Sequence, residues 1–250
     1  MRAVGQTDKG KVRTNNEDRV AIITNQTGQQ LFVVADGMGG HRAGQIASEL
    51  TVSYLTTYFE KLMIRMDDDQ AQRWLGQTLQ LINEKLFQEG ELNPDLKGMG
   101  TTIVCAIDID EDTLAIAHVG DSRAYIVNEK EFKQITEDHS LVQELVKKGE
   151  ISNEEAKIHP RRNIVLRSLG VSGFVKVECQ IIEKESKDIL LLCSDGLNDA
   201  LTEQEMITLL TSKLTIEDKV KKLIDAANAH GGQDNISVII AVSEKGGDEL

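Results

Sequence analysis

One pattern constrains this chain more than any other: a short apolar run that stops at an aspartate beside glycine. The first instance is Leu31-Phe32-Val33-Val34-Ala35, followed by Asp36-Gly37-Met38-Gly39-Gly40-His41. The run is rich in β-branched and aromatic residues and reads as a buried strand. Three glycines within the next four positions let the backbone take positive φ or pass close to another group. From Arg42 onward the pattern is helical. Taken alone, Asp36 has two readings: a turn residue that caps the helix, or an oxygen ligand for a hard cation at the end of a buried strand.

The arrangement recurs. Ile116-Ala117-His118-Val119 ends in Gly120-Asp121, and Leu190-Leu191-Leu192-Cys193-Ser194 ends in Asp195-Gly196. Asp234 follows Gly231-Gly232-Gln233 just before the final apolar run, and Glu17-Asp18 opens another. If these strand ends meet at one rim, they gather carboxylates whose mutual repulsion raises their pKa values unless cations offset it. Oxygen donors without cysteine and with little histidine point to Mg²⁺ or Mn²⁺ rather than zinc or copper. Two such ions about 3.5–4 Å apart lower the pKa of a water and clamp a phosphoryl group. Asp36 is the candidate bridge between them, because the Gly37 carbonyl beside it adds an oxygen. Arg13, just before the Glu17-Asp18 pair, is placed to grip phosphate oxygens; standing alone it would be an ordinary surface arginine.

Strands are expected at 2–8, 18–25, 30–36, 101–107, 113–119, 123–127, 132–135, 175–182, 189–193 and 236–242. Apolar stripes predict helices over 42–60 and 69–87, and further helices at 202–212 and 216–229. Thr202 with Glu205 forms a capping box for the third of these. Short links between consecutive strands over 101–135 predict antiparallel hairpins. Two short helical pieces, 139–148 and 152–158, lie in a less regular excursion. The simplest packing is an α+β fold in which two antiparallel sheets stack and helix pairs cover them. With no repeats and no linker, one domain over 1–245 is expected, with a frayed tail at 246–250.

The net charge of −13 argues against nucleic acid or an anionic membrane surface as partner. No apolar stretch has the length of a membrane span, and no signal peptide is evident, so a cytoplasmic location is expected. Cys105, Cys179 and Cys193 read as reduced core residues.

The ordered set Arg13…Asn16-Glu17-Asp18, Ala35-Asp36-Gly37-Met38-Gly39-Gly40, Gly100-Thr101-Thr102, Val119-Gly120-Asp121-Ser122-Arg123, Asp138-His139-Ser140, Ser194-Asp195-Gly196-Leu197 and Gln233-Asp234-Asn235 resembles the metal-dependent type 2C protein serine/threonine phosphatases. It is most similar to small single-domain bacterial members that oppose eukaryotic-type serine/threonine kinases. The resemblance spans nearly the whole chain. It implies an α-β-β-α sandwich, phosphoprotein substrates and a binuclear Mn²⁺/Mg²⁺ centre at one rim. It further implies that Asp36, Asp195 and Asp234 hold one ion, and that Asp36, the Gly37 carbonyl and the Glu17-Asp18 pair hold the second, directly or through waters. Asp121 matches a ligand of a third, looser metal, Arg13 the phosphate-binding arginine, and 140–170 a flap near the site. Some members carry a histidine directly after Asp-Gly as the proposed general acid. Met38 stands there in this chain and has no proton to give. His41 is the candidate substitute; hydrogen bonding at the helix start is its other reading. His118, His139, His159 and His230 read as structural. A non-catalytic phosphoprotein-binding homologue and a hydrolase of small phosphate esters are the rival functions, and a monomer is the default state.

Overall fold

The computed structural model describes residues 1–39, 42–128 and 131–243. The expected tail and His41 lie outside the described residues.

Two sheets form the centre. In the first, β1 (Arg2–Asp8), β11 (Ile236–Val242), β10 (Ile189–Cys193), β7 (Arg123–Val127) and β8 (Phe132–Gln134) lie in that order. In the second the order is β2 (Asp18–Thr24), β3 (Gln30–Met38), β5 (Ile103–Asp108), β6 (Thr113–Val119) and β9 (Glu178–Glu183), with the short β4 (Gly100–Thr101) also on β3. All the pairings are antiparallel.

The uninterrupted apolar runs have a simple cause. Successive side chains of a strand face opposite ways, and here both faces are dry. From β3, Phe32 and Val34 enter the seam between the sheets, where they meet Val104, Ile116, Leu190, Leu192 and Ile239. Leu31, Val33 and Ala35 point the other way, onto Leu55, Phe59, Leu75 and Leu79. These belong to α1 (Ala43–Glu60) and α2 (Asp68–Leu92). On the far side Leu191, Val238 and Ile240 pack on Met206 and Leu210 of α6 (Glu203–Leu210) and on Val220 and Leu223 of α7 (Ile216–Ala229). The order is helix, sheet, sheet, helix, as expected. Each fully buried large aliphatic contributes about 1.5–3 kcal/mol.

Caps end the helices as their sequences dictate. The Thr202–Glu205 capping box is formed, and Asp67 with Gln70 makes another at the start of α2. Residues 136–177 form the excursion, containing α3 (Leu141–Lys147) and α4 (Asn153–Ile158). The isolated bridge of Ser140 with Val165 ties its two arms together, and that of Thr101 with Leu169 pins it to the body.

One local expectation is corrected. β5 with β6, and β7 with β8, are hairpins, but β6 and β7 lie in different sheets. The link between them crosses the sandwich at Gly120, whose φ of +113° is open to glycine and strained for other residues. A Cβ there would also strike Thr102. After Cys193 the chain makes a short helix not expected from the sequence, α5 (Asp195–Asn198), which Asp195 opens.

Candidate metal centre

Antiparallel pairing brings the carboxylates to one rim. Asp18 at the start of β2 lies opposite Asp36 near the end of β3. Asp195 follows β10, Asp234 precedes its neighbour β11, and Asp121 lies in the crossing between β6 and β7. Asp18 is fully buried and Asp121 nearly so; Glu17, Asp36, Asp195 and Asp234 are half-buried and open toward solvent.

Electrostatics registers the convergence. Asp36 is pushed well above the usual carboxylate range, first by burial and then by the charges of Asp18, Asp195, Asp121 and Asp234. Asp195 is raised in the same way, by burial and then by Asp121, Asp234, Asp199 and Asp18. Asp18 rises to about 6 through burial, against the hydrogen bond from Ser194. Asp121 also rises to about 6, through burial and then Asp138. Among the described residues, Asp18 Oδ1 and Asp195 Oδ1 are buried and have no hydrogen-bond partner. Crowded anions with orphaned buried oxygens cost free energy in a metal-free chain, and that is the donor set a hard divalent cation satisfies. The residues therefore fit the expected group.

Neighbouring backbone is shaped for these side chains. Gly37 N–H donates to the Glu17 carbonyl at 3.2 Å. A Cβ on Gly44, at the start of α1, would collide with the Glu17 carboxylate and with the backbone of Gly37 and Met38, so only glycine lets α1 pack this close. Arg13 is half-exposed, and its Nη2 lies 2.6 Å from Asp234 Oδ2. Every predicted site residue within the described chain thus comes to this rim. Met38 ends β3, paired with Gly100 of β4.

Several supporting residues were not assigned roles from sequence. Ser194 Oγ donates to Asp18 Oδ2 at 2.7 Å and accepts from Ser237 N–H at 3.0 Å. Asn235 Oδ1 accepts from Glu17 N–H at 2.8 Å, while its Nδ2 donates to the carbonyls of Lys9 and Asn15, each at 2.9 Å. Thr101 Oγ1 and Thr102 N–H both donate to the Asp36 carbonyl at 2.8 Å. The signal for them was adjacency, since each stands beside a carboxylate or within a recurring motif. Burial pushes the Cys193 thiol up to about 12 and the Cys179 thiol to about 11, and raises Cys105 as well, which disfavours their thiolates.

A fold with two stacked antiparallel sheets between helix pairs, and an all-oxygen rim beside an arginine, defines a metal-dependent phosphatase class. A protein-family model described as "Protein phosphatase 2C" matches residues 7–237, and the chain belongs to that family. It is 43% identical over 251 residues to the serine/threonine phosphatase stp of Listeria monocytogenes, covering 99% of each chain. A crystal structure of a bacterial serine phosphatase superposes with a TM-score of 0.94 at 42% identity and covers 100% of both chains. The catalytic domain of the serine/threonine protein phosphatase PstP, solved in complex with two manganese ions, matches with a TM-score of 0.85 at 32% identity over 98% of each chain. The expected fold class and the expected enzyme class, a metal-dependent serine/threonine protein phosphatase, agree with these relatives. No helix of the described residues is long and apolar enough to cross a membrane.

Proposed function

We propose that the carboxylate rim is the catalytic centre, a Mn²⁺ or Mg²⁺ site that serves hydrolysis of phosphoserine and phosphothreonine on proteins. Asp36, Asp195 and Asp234 would hold one ion; Asp36, the Gly37 carbonyl and the Glu17–Asp18 pair would hold the second; Asp121 would serve a third. When bound, the ions supply Lewis acidity, lowering the pKa of a water and offsetting phosphoryl charge. The single observation that carries this reading is the orphaned, mutually repelling set of buried aspartate oxygens at one rim.

The chain's own groups do the rest. Arg13 leaves Asp234 to present two parallel N–H donors to the phosphate, which fixes its orientation. Ser194 and Asn235 hold Asp18 and the Glu17 backbone in place. Met38 cannot protonate the leaving seryl or threonyl oxygen, so that proton comes from His41 or from solvent. Cys105, Cys179 and Cys193 lie within strands rather than in a phosphate-cradling loop, and direct attack by water, without a phosphoenzyme, is the reaction we infer. One domain carries the site, with 140–170 as a flap beside it. The chain works as a cytoplasmic monomer on the products of a eukaryotic-type serine/threonine kinase.

Phosphate release from a phosphothreonine peptide and from a small phosphate ester, each with and without Mn²⁺, tests the assignment. Mn²⁺-dependent turnover of the peptide at the higher kcat/KM is expected. Turnover of the ester alone would make the chain a small-ester hydrolase. Metal binding without turnover of either would make it a binding homologue.

A further inference from the structure

Behind Asp121 lies a cluster that the proposed chemistry does not use. One ligand atom each from His118, His139 and Glu178 lies within 4.8 Å of the others. Two imidazoles and a carboxylate have the composition of a zinc site, but the hydrogen bonds oppose that use. Gly120 N–H donates to His139 Nδ1 at 3.1 Å. A backbone amide can only donate, so Nδ1 keeps its lone pair and the neutral ring carries its proton on Nε2. That nitrogen faces Glu178 Oε1 at 3.3 Å. A metal on Nε2 would require the proton to move to Nδ1, placing two donors against each other. Glu178 Oε1 is engaged elsewhere too, by Arg167 Nη1 at 3.0 Å.

The same contacts make His139 a junction. Its backbone N–H donates to the Gly120 carbonyl at 2.9 Å, so backbone and ring grip both polar groups of one glycine. Its carbonyl accepts from Leu166 N–H at 2.7 Å, where the excursion returns. The ring stacks on His118 at 4.6 Å between centroids and is 6% exposed. Asp138, the preceding residue, takes both Arg123 Nε at 2.9 Å and Arg123 Nη2 at 2.7 Å. The dipeptide Asp138-His139 therefore clamps the crossing link on both sides of Asp121: His139 holds Gly120, and Asp138 holds Arg123.

This inference rests on the metal reading of the rim. We propose that His139 is a positioning residue that fixes the Asp121 carboxylate at the rim through the Gly120 amide, and that this role requires an acceptor at the Nδ1 position. A neutral ring suits it: burial, with the nearby His118 and Arg167, lowers His139 to about 4. The Gly120 amide is the point of control because it belongs to the positive-φ residue directly before Asp121.

Two conservative variants separate positioning from packing. In His139→Asn the side-chain oxygen replaces Nδ1 and the Glu178 contact is lost. In His139→Gln a polar group replaces Nε2 and the Gly120 acceptor is lost. Calorimetric titration with Mn²⁺, together with hydrogen exchange of the Gly120 amide, is measured for both and for the wild type. His139→Gln is expected to weaken the loosest class of Mn²⁺ site by about 10–100-fold, as other supporting-residue losses do, and to speed Gly120 exchange. His139→Asn is expected to stay close to wild type in both. Equal effects of the two variants, or none, would overturn the proposal. If one variant does not fold, Glu178→Gln, which leaves the Gly120 bond intact, must keep wild-type Mn²⁺ affinity, and a loss there overturns the proposal equally. A wild-type chain that takes up no Mn²⁺ would sink the metal reading itself. Tight binding of two ions with an unresponsive His139→Gln would overturn this inference alone.

Discussion

Replacing Asp18 by asparagine turns the crowding of the rim into a measurable free energy. Asp18 is fully buried, and its carboxyl rises from 3.8 to about 6, mainly through burial. A carboxylate whose folded pKa exceeds its unfolded value binds protons more readily in the folded state. Its penalty is therefore absent well below pH 3.8, grows as pH rises, and is complete above about 6. The difference of 2.2 (6 minus 3.8) corresponds to about 3 kcal/mol, of which about 2 kcal/mol accrues between roughly pH 4.5 and 7.5. The asparagine side chain does not ionise, so the Asp18→Asn variant escapes that penalty. His118 and His139, which are lowered by burial, titrate with the opposite sign in an overlapping range. They are common to both chains and cancel in the difference, whereas Asp36 and Asp195, which the Asp18 charge helps to raise, relax in the variant and add to its gain. The assay is urea unfolding of both chains in chelator across this pH range, followed by circular dichroism. The variant is expected to gain on the wild type by at least about 2 kcal/mol from the acid to the neutral end. With saturating Mn²⁺ the order should reverse, because the ion stabilises only the chain that binds it well. A wild-type-to-variant difference that does not change with pH would refute the claim that Asp18 carries a desolvated charge in the metal-free chain.

Other substitutions test separate parts of the rim. If Arg13 grips the phosphate as proposed, Arg13→Ala removes a charge-assisted contact worth about 1.5–3 kcal/mol, and kcat/KM on a phosphopeptide should fall roughly 10–150-fold, mostly through KM. Unchanged steady-state kinetics would make Arg13 a bystander. Gly44→Ala places a methyl group against the Glu17 carboxylate and should weaken Mn²⁺ binding seen by calorimetry; full affinity would show that α1 gives way and that Glu17 needs no such approach.

Much of this architecture can be read along the chain, because burial on both faces writes itself as an unbroken apolar run. Leu31–Ala35 and Leu190–Cys193 announce strands with no wet side, and the sandwich between helices follows. The strand boundaries fall close to the expected ones wherever a run ends in Asp or Gly. What stayed hidden depends on partners far away in sequence. The passage from β6 to β7 looks like any hairpin link, yet it changes sheets, since Ala124 and Ile126 fill the seam opposite Ile116 rather than beside it. Ser194 is 176 residues from the carboxylate it serves, and no local periodicity records that bond. The grip of His139 on Gly120 was equally invisible. A histidine two residues before α3 reads as a helix-start residue until the crossing link is seen folded against it.

If Asp36 joins two cation sites, calorimetric titration of Mn²⁺ into wild type and Asp36→Asn must show it. At least two ions per wild-type chain are expected. Loss of both tight sites together is expected in the variant, with phosphopeptide hydrolysis lost in parallel and the fold retained by circular dichroism. A variant that keeps one tight site unaltered, or that still turns over substrate at the wild-type rate, would contradict the bridging role and the catalytic centre built on it.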